Sequence, residues 1–404
     1  MKAMILAAGK GTRVRPLTYD LPKPMIPILG KPVMAYLVEF LASYGVGDIM
    51  VNVSYLHQKI EEYFGDGSQF GVQIGYSFEG YINESGEVIP EPLGSAGGIK
   101  KIQEFANFFD DTTIVICGDA LIDLDLNAAL LEHKQKGAMV SVITKEVPWD
   151  KVDSYGVVVT DSEGRIKSFQ EKPKQADALS NFASTGIYIF EPEAIDLIPV
   201  DTPFDIGSDL FPLLVVKGLP FYAQQRSFNW IDIGTVTDYW SVLQGVLLGE
   251  IAEMEVPGTQ ITDGVWIGLN TSINWHGATI QGPVYIGAGC LIEAGCTIIG
   301  PTWIGHGSHI CSGAAVVRSV LFEYTRILPD AYLEEMVVVK EYSVNRAGEM
   351  SRSAEAGKRK WCDARHQRQD TAFLPDGKTV PAQSDKLADA VSDASLAGSS
   401  VSSV

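Results

Sequence analysis

The run KAMILAAGKGTRVRPLT at residues 2–18 decides the fold of the first half of the chain. Residues 2–7 are a short apolar run with a glycine-rich exit, the pattern of a buried strand followed by a turn. Val33, Leu37, Phe40, Leu41 and Tyr44 then recur at helical spacing, behind the Gly-Lys-Pro of 30–32. Residues 48–54 alternate as a strand, 56–64 read as a helix, and 112–117 form a continuous apolar strand that ends at Gly118 and Asp119. This alternation predicts an α/β domain over 1–250, with a mainly parallel sheet and helices on both faces. Ligands of such sheets bind outside the carboxyl ends of the strands, so Gly9, Gly118 and Asp119 fall where chemistry is expected.

The first loop is neither a dinucleotide fingerprint, which needs a third glycine near Val14, nor a GxxxxGK[ST] phosphate loop. It remains a glycine-rich turn whose backbone N–H groups can cradle phosphate. Six basic residues, Arg13 and Lys23 among them, stand against one acid in the first 31 positions. That local charge contrasts with the whole chain of 404 residues, whose 31 Lys+Arg and 50 Asp+Glu give a net charge of −19. An acidic chain lacks the basic face that nucleic acid requires. The five cysteines form no CxxC pair, which predicts reduced thiols in a cytoplasm.

Residues 256–322 change character. Between Gly264 and Val317 Glu293 is the sole formal charge, and 11 residues are glycine. Gly, Pro, His, Asn and Ser interrupt the stretch too often for a membrane span. Aliphatic residues recur every six positions: Ile261, Ile267 and Ile273, then, after one extra residue, Ile280, Ile286, Ile292, Ile298, Ile304, Ile310 and Val316. Small or medium residues stand four places after these: Val284, Cys290, Cys296, Thr302, Ser308 and Ala314. One inward aliphatic per hexad with a Gly/Pro-rich corner predicts a short left-handed parallel β-helix over 256–342, of about three coils. Its nearly uncharged surface predicts a homo-oligomer. Cys290, Cys296 and Cys311 fit as space-fillers rather than metal ligands. His276, His306 and His309 raise acyl transfer as an alternative, but fit as turn residues. From 343 the chain turns polar, predicting a partly disordered extension over 343–404 in which Lys358, Arg359 and Lys360 near Trp361 are solvated.

The motif G-x-G-T-R-x-x-P-L-T followed by P-K-P resembles the nucleotide-sugar pyrophosphorylases, the sugar-1-phosphate nucleotidyltransferases. Further landmarks appear in order: EPLGSAG at 91–97, Gly118-Asp119, YGV at 155–157, FQEKP at 169–173, TGIY at 185–188 and WIDIG at 230–234. The C-terminal repeat is similar to those of GDP-mannose pyrophosphorylases and cyanobacterial-type UDP-glucose pyrophosphorylases.

The resemblance implies a Rossmann-like catalytic domain in which a hexose 1-phosphate attacks the α-phosphorus of an NTP. Diphosphate is the leaving group. It implies Arg13 on the departing diphosphate and Lys23 on the reacting phosphates. Gly9, Gly11, Thr12, Glu91, Gly94 and Gly97 would serve the nucleotide, and Gly156, Glu171, Lys172 and Thr185 the sugar phosphate. Asp119 and Asp232 would hold Mg²⁺, although Asp119 also suits a cap. Asp205 and Asp209 fit better as a helix cap and a first-turn acid. Ser184 stands where many members have Asn. The motifs favour UTP with glucose 1-phosphate over GTP with mannose 1-phosphate. Some relatives are non-catalytic regulatory subunits, but the six charged site residues point to a working enzyme.

Overall fold

The computed structural model describes residues 1–251, 254–353, 359–365, 371–373 and 379–381. The chain divides into two compact units, Met1–Tyr239 and Trp240–Val404, with the division inside helix Val236–Leu247. Among the described residues no helix is long and apolar enough to cross a membrane.

In the first unit β1 (Lys2–Leu6) lies between β2 (Asp48–Val53) and β4 (Thr113–Cys117), parallel to both, and β3 (Gln73–Phe78) lies outside β2. Helices α1 (Val33–Ser43), α2 (His57–Phe64) and α3 (Gly94–Ala106) connect these strands. The chain steps outward from β1 to β3, then α3 returns it to the other side of β1. That reversal opens a crevice at the carboxyl ends of β1 and β4.

The short strand β5 (Ala120–Ile122), helix α4 (Leu126–Gln135) and strands β6 (Val140–Glu146), β7 (Val157–Thr160), β8 (Ile166–Gln170), β9 (Phe182–Phe190) and β10 (Phe221–Gln225) follow. β9 runs antiparallel to β4 and β6, and β10 runs parallel to β6. The sheet is therefore mixed, with its parallel core at β4-β1-β2-β3.

Strand period explains why both faces are covered. Ala3 and Ile5 point into a core with Leu37, Val38 and Leu41 of α1, Ile60 of α2 and Ala129 of α4. Met4 points the other way, to Ile99 of α3, Phe190 and Phe211. Ile5 and Met4 are fully buried, each stabilising the fold by about 1.5–3 kcal/mol.

In the second unit the short strands from Val265–Ile267 to Val320–Leu321 each pair, parallel, with the third strand after them. Val265–Ile267 pairs with Val284–Ile286, that with Thr302–Ile304, and the ladder continues to Val320–Leu321 and Met336–Val339. Two further parallel ladders run from Ser272–Ile273 and Thr279–Gln281. Ile286, Ile292, Ile298, Ile304, Ile310 and Val316 stack inside with Cys290, Cys296 and Ala314.

Three expectations change here. Ile261 is exposed, because Thr259–Thr262 pairs antiparallel with Val265–Ile267 and lies outside the coil. The inward series does not stop at Val316: it continues as Leu321, Ile327, Leu333 and Val338, with a step of five instead of six before Leu321 and again before Val338, so it runs past ten hexads. The polar composition does not keep Trp361 at the surface: it is buried against this core and its indole N–H donates to the Lys340 carbonyl at 2.9 Å, while Arg359 and Lys360 beside it are exposed and Lys358 lies outside the described residues. Trp361–Asp363 pairs antiparallel with Thr325–Ile327, and the Lys360 ammonium donates to the Tyr332 carbonyl. One large apolar side chain outweighs the polar composition around it. The disorder expected for the end of the chain falls largely on 382–404, outside the described residues.

Glycine at the corners follows from the stacking. A Cβ on Gly282 would lie 2.5 Å from the Gly264 carbonyl oxygen, and one on Gly300 would collide with that of Pro283. His309 pairs with Glu293 at 2.6 Å and is a partner within the coil wall.

Ile298→Ala is expected to destabilise the second unit by about 2–5 kcal/mol, whereas Leu291→Ala, at an exposed position of a neighbouring ladder, is expected to cost less than about 0.5 kcal/mol. Denaturant midpoints followed by circular dichroism compare the two; equal shifts would contradict the inward placement of Ile298.

Candidate active site

The carboxyl ends of β1 and β4 face a cleft of about 250 Å³. Gly118 follows β4 directly, and its N–H donates to the Leu6 carbonyl at 3.0 Å, which fixes Asp119 at the mouth of the crevice. The last strand of the unit, β11 (Trp230–Asp232), pairs antiparallel with β5 and sets Asp232 opposite Ala120. Two acids more than a hundred residues apart are thus brought to one point by a three-residue ladder.

Lys23 sits between them. Its ammonium lies 2.5 Å from Asp119 Oδ2 and 3.5 Å from Asp232 Oδ1. Pro22 and Pro24 restrict the turn that carries it, and the Met25 N–H closes that turn on the Pro22 carbonyl at 2.8 Å. Gly11 packs against the stem: at φ +59° its Cβ would lie 3.0 Å from Lys23 Cβ and from Thr18 Cγ2. Burial works to lower the Lys23 pKa, but attraction to Asp119 and Asp232 outweighs it, and the net direction is upward. The Asp232 pKa is raised by burial; Lys23 pulls it down and Asp119 pushes it up. Arg13, exposed on the adjoining turn, lines the same cleft and has no ion pair among the described residues.

The opposite wall comes from β8, β9 and the turns before β7 and after 204. Lys172 pairs with Glu171 at 2.8 Å and holds φ +44°, a left-handed conformation unusual for a side chain with a Cβ. Gly156 and Gly207 give Glu171 its space: a Cβ on either would lie 3.1 or 2.9 Å from Glu171 Oε2. Tyr155 and Trp230 pack with their rings tilted by 55° at 4.9 Å between centroids and line one side. Thr185 lines the cleft, but its hydroxyl already donates to the Ile143 carbonyl at 2.8 Å. Asp205 accepts from the N–H groups of Gly207 and Ser208 and from the Ser95 hydroxyl, while Asp209 accepts from the Asp205 N–H. Burial would raise the Asp205 pKa; those donors reverse it, so the carboxyl stays below its ordinary range.

Arg13, Lys23, Asp119, Gly156, Glu171, Lys172, Thr185 and Asp232 therefore share one cleft. The nucleotide set does not line it. Gly9 is open and Thr12 and Glu91 are exposed. Gly94 and Gly97 pack on the backbone of 202–204, where Cβ atoms would lie 2.5 Å from the Phe204 carbonyl oxygen and 3.0 Å from that of Thr202. The N–H groups of Ala96 and Gly97 are spent on that same Phe204 carbonyl. Ser95, between them, is the member of the segment that reaches the cleft. Cys117, Tyr188 and Gly207 line it too; Tyr188 belongs to the TGIY landmark, whereas the only sequence signal for Cys117 and Gly207 is adjacency to Gly118 and nearness to Asp205. Burial pushes the Cys117 thiol well up, away from reactivity.

Residues 2–247 match the family model described as nucleotidyl transferase. A UTP–glucose-1-phosphate uridylyltransferase of Synechocystis sp. is 55% identical over 368 residues, 91% of this chain and 94% of that protein. A mannose-1-phosphate guanylyltransferase of Mycobacterium tuberculosis is 32% identical over 312 residues, 72% of this chain and 82% of its own length. Among solved structures, one from Bacillus anthracis, provisionally named a glucose-1-phosphate thymidylyltransferase, has a TM-score of 0.51 at 23% identity, over 60% of this chain and 94% of that chain; it supports the fold of the first unit.

Lys23→Met leaves Asp232 beside Asp119 without the ammonium between them, so the Asp232 pKa, already raised by burial, rises further above its unfolded value. The resulting penalty is present at neutral pH and relieved as pH falls through that raised value. In metal-free buffer the variant is expected to lose about 1–3 kcal/mol at pH 7 and to recover most of it near pH 4, as read from denaturant midpoints. A loss independent of pH would show that the pair does not carry this charge.

Proposed function

The chain belongs to the nucleotidyl transferase family, and from that premise we propose that it is a sugar-1-phosphate nucleotidyltransferase, making UDP-glucose and diphosphate from UTP and glucose 1-phosphate. The observation that carries this is the convergence of Arg13, Lys23, Asp119, Glu171, Lys172 and Asp232 on one cleft at the strand ends. A phosphate oxygen of the sugar phosphate forms the new bond to the α-phosphorus, and the bond from that phosphorus to the bridging oxygen of diphosphate breaks. The nucleophile is already an anion, so no general base is required. The obstacle is repulsion among phosphates, and the remedy is orientation with positive charge.

Lys23 meets the reacting phosphates. Arg13, exposed and without an ion pair among the described residues, meets the departing diphosphate. Lys172 holds the sugar phosphate while Glu171, kept close by Gly156 and Gly207, accepts from sugar hydroxyls. Asp119 and Asp232 fit Mg²⁺: both are hard oxygen donors, and a cation, the Lys23 ammonium, already stands between them. When bound there, the ion neutralises phosphate charge. UTP and glucose 1-phosphate are preferred because the relative with 55% identity across 91% of the chain carries that name, whereas the guanylyltransferase relative stands at 32%.

The coil of the second unit is read as the left-handed parallel β-helix of the hexad pattern, serving assembly into a homo-oligomer rather than nucleotide transfer. The five cysteines form no disulfide among the described residues, which suits a cytoplasmic protein.

The test is diphosphate release with UTP, GTP, dTTP and ATP crossed against glucose, mannose and galactose 1-phosphates. UTP with glucose 1-phosphate is expected to be fastest; preference for GTP with mannose 1-phosphate would replace the substrate pair, and silence with every pair would favour a regulatory subunit. Lys23→Ala, Asp119→Ala and Asp232→Ala are each expected to lower kcat by at least about 10²-fold, the scale for one preorganised charge. Full activity in Asp119→Ala would remove its assignment.

A further inference from the structure

Two side chains outside the cleft, Asn52 and Glu79, are almost wholly buried, at 3% and 1% exposure. Asn52 is at the end of β2, opposite Leu6 of β1. One residue further the β1 ladder has ended, and the Ala7 N–H donates to Asn52 Oδ1 at 2.8 Å. The Asn52 amide then donates from Nδ2 to Glu79 Oε1 at 2.7 Å. The Leu93 N–H donates to the other carboxylate oxygen, Glu79 Oε2, at 3.0 Å. The Glu79 main-chain carbonyl also accepts from the Ser54 hydroxyl at 2.8 Å and the Glu91 N–H at 3.1 Å. Gly98 of α3 lies against the same carboxylate, which a Cβ there would strike.

A buried carboxylate is costly, and an apolar pair of similar volume would pack here without the desolvation penalty. What the polar pair supplies is a connection in which donors from both ends converge on the Glu79 carboxylate. It starts at the amide opening the glycine-rich loop 7–11 and ends at the amide preceding Gly94, and every bond has a fixed donor and acceptor. We propose that Asn52 and Glu79 are positioning residues that hold the phosphate loop and the 91–94 loop in mutual register, and thereby set the binding of the nucleoside triphosphate. The proposal rests on the function given above. Neither residue touches the cleft, so both act through the loops they tie.

The fixed donors and acceptors supply the test. Glu79→Gln puts an NH₂ against a donor, either the Leu93 N–H or the Asn52 amide, and Asn52 cannot turn over without losing the Ala7 N–H. The double variant Asn52→Asp/Glu79→Gln reverses only the middle bond. Its carboxylate at position 52 accepts from the Ala7 N–H and from the amide NH₂ at position 79, and the amide oxygen at position 79 accepts from the Leu93 N–H. In the full-length protein Glu79→Gln is expected to raise KM for UTP about tenfold, the scale of one unsatisfied buried polar group, with KM for glucose 1-phosphate within about twofold. The double variant is expected to return KM for UTP to within about threefold of the parent. A general loss of folding would lower kcat through the active fraction and leave KM alone. The proposal is overturned if Glu79→Gln leaves KM for UTP unchanged, if both KM values rise together, or if the double variant is no better than the single. Should Glu79→Gln fail to fold, Asn52→Ala takes its place under the same criteria. A parent protein that releases no diphosphate would instead overturn the function itself.

Discussion

One ammonium held between two carboxylates organises the active end of the first unit. Bringing Asp119 and Asp232 together in a half-buried cleft is costly unless positive charge stands between them, because partial burial leaves less water to screen their repulsion. Lys23 supplies that charge at 2.5 and 3.5 Å. The arrangement needs three parts: the turn after β4, the β5–β11 ladder that aligns Asp232, and the Pro-Lys-Pro turn. Burial alone would lower the lysine's pKa; attraction to the two acids outweighs it and the net direction is upward. The two acids are thus matched by one positive charge of the chain's own.

The other recurring constraint is close approach of backbone, and both units solve it with glycine. In the cleft Gly156 and Gly207 leave room for the Glu171 carboxylate, and Gly94 and Gly97 let α3 start against the backbone of 202–204. In the coil, Gly282 and Gly300 let successive corners stack. The chemistry differs, but in each case a Cβ would push apart groups whose separation carries the function or the packing.

Net charge misleads about such a protein unless it is localised. A chain at −19 reads as one that avoids phosphate, yet its first 31 residues carry six bases to one acid. Structure narrows this further. Lys23 turns inward to the two acids, while Arg13 stays exposed and without an ion pair among the described residues. Local positive charge in an acidic shell favours small polyphosphates in a cleft over a polymer on a surface.

By itself the sequence determined the elements whose signal is local. The apolar run at 2–6, the helical spacing of 33–44 and the hexads from Ile280 to Val316 each follow from period, and the Gly-Asp at 118–119 from its place after a strand. It also determined which charged residues were candidates. What it could not determine is where non-local pairing governs. The β5–β11 ladder that joins Asp232 to Asp119 is a pairing of residues a hundred positions apart. The continuation of the inward series through Leu321 to Val338 hides behind two one-residue shortenings that break the count of six. The burial of Trp361 depends on a core made elsewhere in the chain, and the relay through Asn52 and Glu79 joins four segments that share no pattern. Period is written along the chain, whereas hydrogen bonds, packing and charge pairing act through space, so only the tertiary structure decided which candidates meet.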